Sequence, residues 1–297
     1  MRIAGKIGIS HTKDINNAQI APPIGKLVND SQGYGMYGLR KVNDGYTGNC
    51  IEVRRDSDDA TRNIPFDAHG NLDLTRADNG SVSGLETFCS GTDCFVKTWY
   101  DQSGNSQDLV QAGSAKQSEI VSSGSVHKAN GKPTMKFDGG NDLVKKNMPN
   151  DDAPHAVFFV YRLDNSVVAS KGILSFHEAD ADPAFIRTNS SREIEVNFGE
   201  AVSISGGNVE NTLFQLAIKV KTGTNSKIVL NGRTSSGEVD LGSNLIKSTV
   251  VAREEGNTQS NNSQMSCSEL IVITERDVDD DEFQAIQNNI NGYYYLG

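Results

Sequence analysis

Apolar and polar residues alternate over short stretches along much of the chain, which is the pattern of β-strands that bury one face. The most apolar stretch, 155–163, is predicted to be a central strand. Further strands are predicted at 50–55, 94–100, 132–138, 172–177, 184–188, 193–198, 213–220, 227–230, 248–253 and 268–274. Because the strands are short, regularly spaced and not separated by long helical stretches, the pattern predicts an all-β sandwich or jelly roll.

One helix is predicted to close the chain. Asp277 is the expected N-cap, and the carboxylates at 279–282 would lie in the first turn, where they oppose the helix dipole favourably. Three apolar residues follow at helical spacing: Phe283, Ile286 and Ile290. Gly292 fits the C-cap region. The aromatic run at 293–295 is predicted to pack on the sandwich, with a sugar-stacking platform as the alternative.

Several shorter segments contain residues that predict a turn, a short helix or a chain terminus. Asn231-Gly232 predicts a hairpin turn, and a short helix is predicted within 82–89. The apolar positions in 34–42 fit either a helix or an extended segment. Residues 1–30 lack large aromatic side chains and are interpreted as an extended arm, either a frayed terminus or an anchor on a neighbouring subunit. Residues 31–297 then form the sandwich domain.

Composition excludes several classes of protein. The 297 residues include 29 glycines and only 7 prolines, which suits many tight turns between strands. The net charge is −10 and no run of Lys and Arg occurs, so binding to a nucleic-acid backbone is not expected. No apolar stretch approaches eighteen residues, so no membrane span is expected. The first ten residues do not fit a signal peptide.

The block from Phe88 to Asn105 and the strand at 51–55, which runs into an acidic turn, carry a family resemblance. Together they resemble the catalytic domain of arabinofuranosidase B-type α-L-arabinofuranosidases, over roughly residues 34–112. The same block is similar to one in tailed-phage virion proteins with a concanavalin A-like or LamG-like domain. The segment 267–274 and the closing helix resemble the end of concanavalin A-like domains. The resemblance implies a concanavalin A-like jelly-roll β-sandwich with an N-terminal arm and a C-terminal helix.

The resemblance also implies a disulfide between Cys89 and Cys94, which are close enough in sequence to clip one loop. Cys50 and Cys267 each border a predicted strand, and they either pair or remain buried thiols. The five histidines are scattered, so a zinc site built from Cys and His is not expected.

The catalytic positions of the arabinofuranosidases do not map cleanly onto this chain. Alignment on Phe198-Gly199 places Ile194 at the position of the nucleophile, while Glu193 and Glu195 on either side would face the other way. The acid/base position falls near 254–255, and the adjacent cysteine pair of that family is absent here. No catalytic residue is therefore expected. If the protein is an enzyme, the candidates are Glu195 and Glu255.

The turn that follows the strand at 94–100 is the candidate ligand site. Its candidate residues are Trp99, Tyr100, Asp101 and Asn105. Carboxylate and amide oxygens suit sugar or calcium, but Asp, Ser and Asn side chains also hold tight corners by bonding to nearby backbone, and this structural role is the favoured interpretation. An ion pair between Arg54 and Asp101 is a further hypothesis. No cofactor is expected; calcium is the alternative, with Asp138 and Asp142 as further candidate ligands.

The phage-type block, the missing catalytic positions and the lack of an export signal predict a structural protein on the capsid or tail of a tailed phage. Such a protein would be located in the virion, made in the host cytoplasm, and would form a homo-oligomer. It would contact other virion proteins and host-surface glycans. The alternatives are a glycoside hydrolase of the α-L-arabinofuranosidase B type and a stand-alone carbohydrate-binding module.

Overall fold

The computed structural model of the protein describes residues 33–145, 154–164, 170–176, 184–204, 212–221, 225–231, 233–234, 239–253, 262–274 and 276–296. The predicted arm at 1–30 and the candidate Glu255 lie outside the described residues. The boundary between the arm and the sandwich domain near residue 30 therefore stays a prediction.

The described chain is built mainly from short antiparallel strands. Those before residue 150 are β1 Gly33–Gly38, β2 Ile51–Arg55, β3 Thr61–Ile64, β4 Cys94–Trp99, β5 Leu109–Val110, β6 Ser118–Ser122, β7 Ser125–Val126, β8 Lys128–Ala129, β9 Lys132–Pro133, β10 Met135–Asp138 and β11 Leu143–Lys145. Those after it are β12 His155–Leu163, β13 Gly172–Ser175, β14 Phe185–Thr188, β15 Ile194–Asn197, β16 Ala201–Ile204, β17 Phe214–Val220, β18 Lys227–Leu230, β19 Arg233–Thr234, β20 Thr249–Val251 and β21 Gln264–Ile273. The helices are α1 Leu85–Phe88 and α2 Asp280–Tyr294.

Two sheets face each other across one core. In sheet A, β21 pairs with β10 and β1 on one side and with β12 on the other, and β17, β18 and β19 continue from β12. In sheet B, the order is β5, β11, β20, β13, β14, β15, β16. Strand β4 joins the sheets, because it pairs with β5 of sheet B and with β6, which leads to β10 of sheet A. The predicted all-β sandwich with a C-terminal helix is confirmed.

The strand at the centre of sheet A is apolar on both faces. One face of β12 contributes Val157, Phe159 and Tyr161 to the core between the sheets. The other face contributes Ala156, Phe158 and Val160 to a second cluster with α2. Successive strand residues point to opposite faces, so a strand covered on both sides loses its apolar–polar alternation. The sandwich therefore has a third layer, the helix.

Helix α2 packs through the apolar stripe that its sequence predicts. Phe283, Ile286 and Ile290 are buried against sheet A, and the Phe283 ring lies 5.1 Å from that of Phe158. Full burial of side chains of this size contributes roughly 1.5–3 kcal/mol each. Tyr293 and Tyr294 are also buried, while Tyr295 is 66% exposed. The aromatic run thus serves mainly for packing.

The observed helix ends differ from the prediction. The N-cap is Asp279, whose Oδ1 accepts a hydrogen bond from the Glu282 backbone at 2.8 Å, while Asp277 pairs with Lys221. The C-cap is Tyr295 in the left-handed conformation (φ 56°), and Gly292 lies inside the helix. Several Asp residues near the start can each supply a capping oxygen, so tertiary contacts decide which one does.

A buried ion pair connects the helix to the sheet beneath it. The Arg40 guanidinium donates to both carboxylate oxygens of Glu269, at 2.7 and 3.0 Å, and to Asn289 Oδ1 of α2 at 2.8 Å. The Tyr294 hydroxyl bonds to Glu269 Oε2 at 3.1 Å, and the Tyr293 ring lies 4.4 Å from the guanidinium carbon. Burial disfavours the charge of Arg40 and Glu269 favours it, and the net effect raises the pKa of Arg40.

Most predicted strands are present within a few residues of their expected ends, and 155–163 and 227–230 coincide with β12 and β18. The hairpin predicted at Asn231-Gly232 is confirmed, since Leu230 pairs with Arg233 and Asn231 has φ 48°. The ambiguous 34–42 segment starts as strand β1. Strands β3 and β6 were not predicted, because their sequences are polar and turn-like and become strands only by pairing with β2 and β4.

Cys50 and Cys267 are free thiols with no exposed surface, and burial raises the pKa of both. We expect neither to react with a thiol-specific chromogenic reagent in the folded protein, because the reactive thiolate is disfavoured in an apolar site. Two thiols per chain should react after unfolding in guanidinium. Rapid reaction of the folded protein would contradict this burial, and no reaction after unfolding would mean that the two cysteines pair.

Replacing Arg40 by Met is expected to lower the free energy of unfolding by about 3–5 kcal/mol, because Glu269 would then carry an uncompensated buried charge. Urea unfolding measures the loss. The control is Arg76→Met, which breaks the half-exposed pair with Asp73 and should cost no more than about 1 kcal/mol. Adding Glu269→Gln to Arg40→Met should restore part of the stability. Equal effects of Arg40→Met and Arg76→Met would refute the role assigned to the buried pair.

Candidate functional site

The turn after β4 is held by one carboxylate. Asp101 Oδ1 accepts hydrogen bonds from the backbone of Met36 and Ser103, at 2.9 and 2.8 Å. Its Oδ2 accepts from the Ser103 hydroxyl at 2.6 Å and the Gln107 backbone at 3.0 Å. The side chain is buried, so these bonds form in a low-dielectric setting where an unmatched carboxylate would be costly. Asp101 therefore fixes the corner.

The candidate ligand residues of this corner mostly serve the fold. Trp99 and Asp101 are buried, and the Tyr100 hydroxyl donates to Asn63 Oδ1 at 2.8 Å. Asn105 is exposed, and its backbone donates to the Ser103 hydroxyl. These contacts match the structural interpretation of the turn. Trp99 thus packs in the core and Asp101 bonds within the fold, and ligand binding at this turn stays a prediction.

One hypothesis from the sequence is corrected by the geometry. Arg54 does not pair with Asp101; its guanidinium instead bonds to Asp56 and Asp59, which follow β2, and to Gln117, which precedes β6. Calcium binding stays a prediction, and its candidate ligands bond to protein groups. Asp138 accepts from the Gly140 backbone, and Asp142 bonds to Arg253 and Gln111. Over the described residues, no group of three His, Cys, Asp or Glu side chains is arranged to hold a metal ion.

Cys89 and Cys94, the pair implied by the resemblance, form a disulfide. It joins the end of α1 to the start of β4 and so clips the loop between them. Closure of so short a loop removes little chain entropy, so the bond acts mainly to shape this loop.

A separate cluster of charged and polar side chains lies on the outer face of sheet B. Register places Arg187 of β14 opposite Glu195 of β15, and Glu195 opposite Ser203 of β16. The neighbouring Ile194 and Val196 point into the core. Strand parity therefore gathers polar side chains from three strands on one surface. We call Arg187, Asn189, Glu193, Glu195 and Ser203 the carboxylate face.

Glu195 is positioned by an ion pair. Arg187 Nη2 and Nε lie 2.7 and 2.9 Å from Glu195 Oε1. The guanidinium carbon is 4.3 Å from the centre of the Phe185 ring, which holds the arginine over an aromatic face. The Glu195 side chain keeps only 13% of its surface exposed. The carboxylate is thus oriented on the outer surface while being largely shielded.

Glu193 lies on the same face, at the end of a tight turn. Asn189 Nδ2 donates to Glu193 Oε2 and to the Ser203 hydroxyl, both at 3.0 Å. Arg192 takes a left-handed conformation (φ 66°) that closes the turn. Two strand positions separate Glu193 from Glu195, a spacing of about 7 Å along the backbone. Glycosidase carboxyl pairs stand about 5 Å apart in retaining enzymes and roughly 6.5–9.5 Å apart in inverting ones.

The structure thus divides the sequence candidates into two groups. Glu193 and Glu195 share the carboxylate face, whereas Trp99, Tyr100, Asp101 and Asn105 belong to the corner after β4. Sequence reasoning missed Arg187, Asn189 and Ser203. The alternation in 184–188 places Arg187 on the outer face, but the pairing of β14, β15 and β16 is needed to bring the three polar residues to the glutamates.

Comparisons with known proteins find similarity to α-L-arabinofuranosidases. A family model described as Alpha-L-arabinofuranosidase B, catalytic, matches residues 36–140. Over 74 residues the chain is 42% identical to an α-L-arabinofuranosidase B of Penicillium canescens and 38% identical to a probable one of Aspergillus terreus. These alignments cover 25% of this chain and only 14% and 13% of the relatives. The chain therefore matches a small part of each fungal protein.

Solved structures extend the likeness beyond the matched block. A mutant GH54 α-L-arabinofuranosidase soaked with 4-nitrophenyl α-L-arabinofuranoside has a TM-score of 0.69 at 14% identity. An arabinofuranosidase complexed with arabinofuranosyl-α-1,2-xylobiose has a TM-score of 0.67 at 16% identity. Each superposition covers 92% of this chain and 65% of the other. At this identity the likeness establishes a shared fold.

The prediction of a tailed-phage structural protein located in the virion is wrong. The family match and the relatives are α-L-arabinofuranosidases, and the structural neighbours with high scores are GH54 enzymes. They support the enzyme half of the resemblance and not the phage half. In the part of the chain that the structure covers, no helix has the length and apolar character needed to cross a membrane.

Replacing Asp101 by Asn is expected to lower the free energy of unfolding by about 3 kcal/mol. The new amide nitrogen would face two donors, the Ser103 hydroxyl and the Gln107 backbone, in place of an acceptor, and hydrogen bonds to charged groups contribute about 1.5–3 kcal/mol each. Urea unfolding measures the change. The control Asp56→Asn alters a half-exposed carboxylate and should cost no more than about 1 kcal/mol. A loss no greater than the control's would remove Asp101 as the holder of the corner.

Proposed function

We propose that this protein is a glycoside hydrolase that acts on α-L-arabinofuranosides. The observation that carries the proposal is the match of residues 36–140 to the catalytic domain of α-L-arabinofuranosidase B. Support for a site comes from the carboxylate face, where two glutamates lie two strand positions apart on a surface of the same fold. Glycoside hydrolysis requires such a pair, one residue to protonate the leaving oxygen and one to act on the sugar carbon.

The contacts of the two glutamates favour different roles. Glu195 is held in place by the Arg187 guanidinium, and it attacks the anomeric carbon or activates a water. Glu193 contacts the neutral amide of Asn189 and donates the proton to the leaving group. Arg187 and Asn189 are positioning residues that set the two side chains. Glu255, which lies outside the described residues, is the alternative proton donor from the sequence.

The alignment with Ile194 at the nucleophile position does not exclude this assignment. Ile194 is buried in the core, so that position has no access to a substrate. The carboxylate next to it in the chain, Glu195, faces outward. If the alignment with the family is shifted by one residue, the outward-facing Glu195 takes the nucleophile position in place of the buried Ile194.

Sugar binding without hydrolysis at the same face is the second candidate function. It is favoured by the departures from the aligned family: Ile194 at the nucleophile position and the missing adjacent cysteine pair. A binding module would use Glu195, Arg187 and Asn189 as hydrogen-bonding groups for sugar hydroxyls. Turnover distinguishes the two functions.

The test measures hydrolysis of 4-nitrophenyl α-L-arabinofuranoside and of arabinofuranosyl-α-1,2-xylobiose. Glu195→Gln is expected to lower kcat at least about a thousandfold on both, because either role of Glu195 acts on the sugar carbon. Glu193→Gln is expected to lower kcat about a hundredfold or more on the xylobiose derivative, but much less on the nitrophenyl substrate, whose leaving group needs little protonation.

The matched control is Glu200→Gln, which removes an exposed carboxylate from the turn after β15 and should leave both rates unchanged. If Glu255→Gln, and not Glu193→Gln, shows the dependence on leaving group, Glu255 is the proton donor. Absence of turnover by the unmodified protein on both substrates, with binding retained, would replace the proposal by the binding function. Full activity of Glu195→Gln would remove the carboxylate face from the site.

A further inference from the structure

A groove of about 380 Å³ lies on the outer face of sheet A, across the sandwich from the carboxylate face. Three adjacent strands form its floor, and register aligns their side chains in two rows. Lys136 of β10 is opposite Ser266 of β21, which is opposite Arg162 of β12. In the next row Asp138 is opposite Gln264. Helix α2 covers the other end of this face, where it contacts Val160 and Ile271.

The groove has a polar floor that is already ordered. Arg162 Nε donates to Asp164 Oδ1 at 2.6 Å, and the Ser266 hydroxyl donates to Asp164 Oδ2 at 2.7 Å. Arg162 Nη2 lies 3.4 Å from the Ser266 oxygen, which closes a triad. Ser266 is buried, and Arg162 and Asp164 are mostly shielded. Because these side chains are ordered before any ligand arrives, binding would cost little additional side-chain entropy.

The groove carries charges of both signs. Its lining includes the basic side chains Lys128, Lys136 and Arg162 and the carboxylates Asp138 and Asp164. Arg162 pairs with Asp164, and Lys136 is opposite Glu119 of β6, which bonds to His127 of the lining. Two of the three cations thus have a carboxylate beside them, which weakens any preference for a phosphate or carboxylate ligand. The one large apolar residue, Phe137, is buried in the core, so an apolar ligand has no surface to pack on.

We propose that this groove binds a neutral oligosaccharide and is a second sugar site, separate from the carboxylate face. Interspersed donors and acceptors suit hydroxyl groups, each of which can donate to a carboxylate and accept from a guanidinium, ammonium or amide group. The volume lies within the range of small-molecule sites. The choice of sugar among neutral polar ligands rests on the proposed function, since a second site would hold a polymeric substrate that the hydrolase cleaves elsewhere.

The test uses Glu195→Gln, so that the probe is not consumed, and arabinofuranosyl-α-1,2-xylobiose as the probe. Titration followed by amide NMR shifts is expected to move the signals of Lys136, Gln264 and Ser266 in one saturable process. Adding Lys136→Met and Gln264→Ala, which change two exposed residues of the groove, should weaken that process at least about tenfold. The matched control pair, Lys116→Met with Gln284→Ala, makes the same chemical changes outside the groove and should leave the affinity unchanged.

The proposal would be overturned if millimolar probe caused no amide NMR shifts at the groove, or if the Lys136→Met and Gln264→Ala changes left those shifts unaltered. Its outcome is separable from that of the proposed hydrolase. Saturable groove binding, together with absence of turnover by the unmodified protein, would support this site and reject the hydrolase. Turnover by the unmodified protein without groove shifts would support the hydrolase and reject this site.

Discussion

The hydrogen bonds of the turn after β4, here called the corner, are the constraint on which the arrangement of sheet A and its helix depends. Asp101 binds the Met36 backbone, while the Gln102 side chain binds the backbone of Gly38, Arg40 and Val42. The corner thus holds the whole segment 36–42 in place. That segment presents Arg40 to Glu269 of β21 and to Asn289 of α2. Without the corner, a buried guanidinium would lose its position, and the helix would lose its charged contact with the sheet.

This dependence accounts for where the sequence similarity lies. The residues that match the arabinofuranosidase catalytic domain, 36–140, contain the corner, the disulfide and the segment bearing Arg40. These features build the fold and place few side chains where a ligand could reach them. The carboxylate face, on β14 to β16, lies outside the matched block. Similarity in such a block indicates a shared scaffold, whereas the residues that contact a ligand can differ between proteins of different function.

The expectation of a phage virion protein rests in part on the missing catalytic positions. Alignment on Phe198-Gly199 puts Ile194, a core residue, at the nucleophile position of the resembling enzymes. On a strand, a shift of one residue exchanges the two faces, so an alignment that errs by one position converts a surface carboxylate into a core residue. Ile194 points into the sandwich and Glu195 out of it. Strand periodicity in the sequence already puts Glu193 and Glu195 on the face opposite Ile194, and the register of β14, β15 and β16 shows which polar residues join them.

The sequence by itself determined the all-β class, the central strand at 155–163, the apolar stripe of the closing helix and the turn at Asn231. Each depends on the period of neighbouring side chains or on local turn chemistry, which a linear pattern contains. Only the tertiary structure decided that Arg40 meets Glu269, 229 residues away, and that Arg187, Asn189 and Ser203 surround two glutamates. Those contacts depend on which strands pair and in which register, and pairing is set by the packing of the whole core.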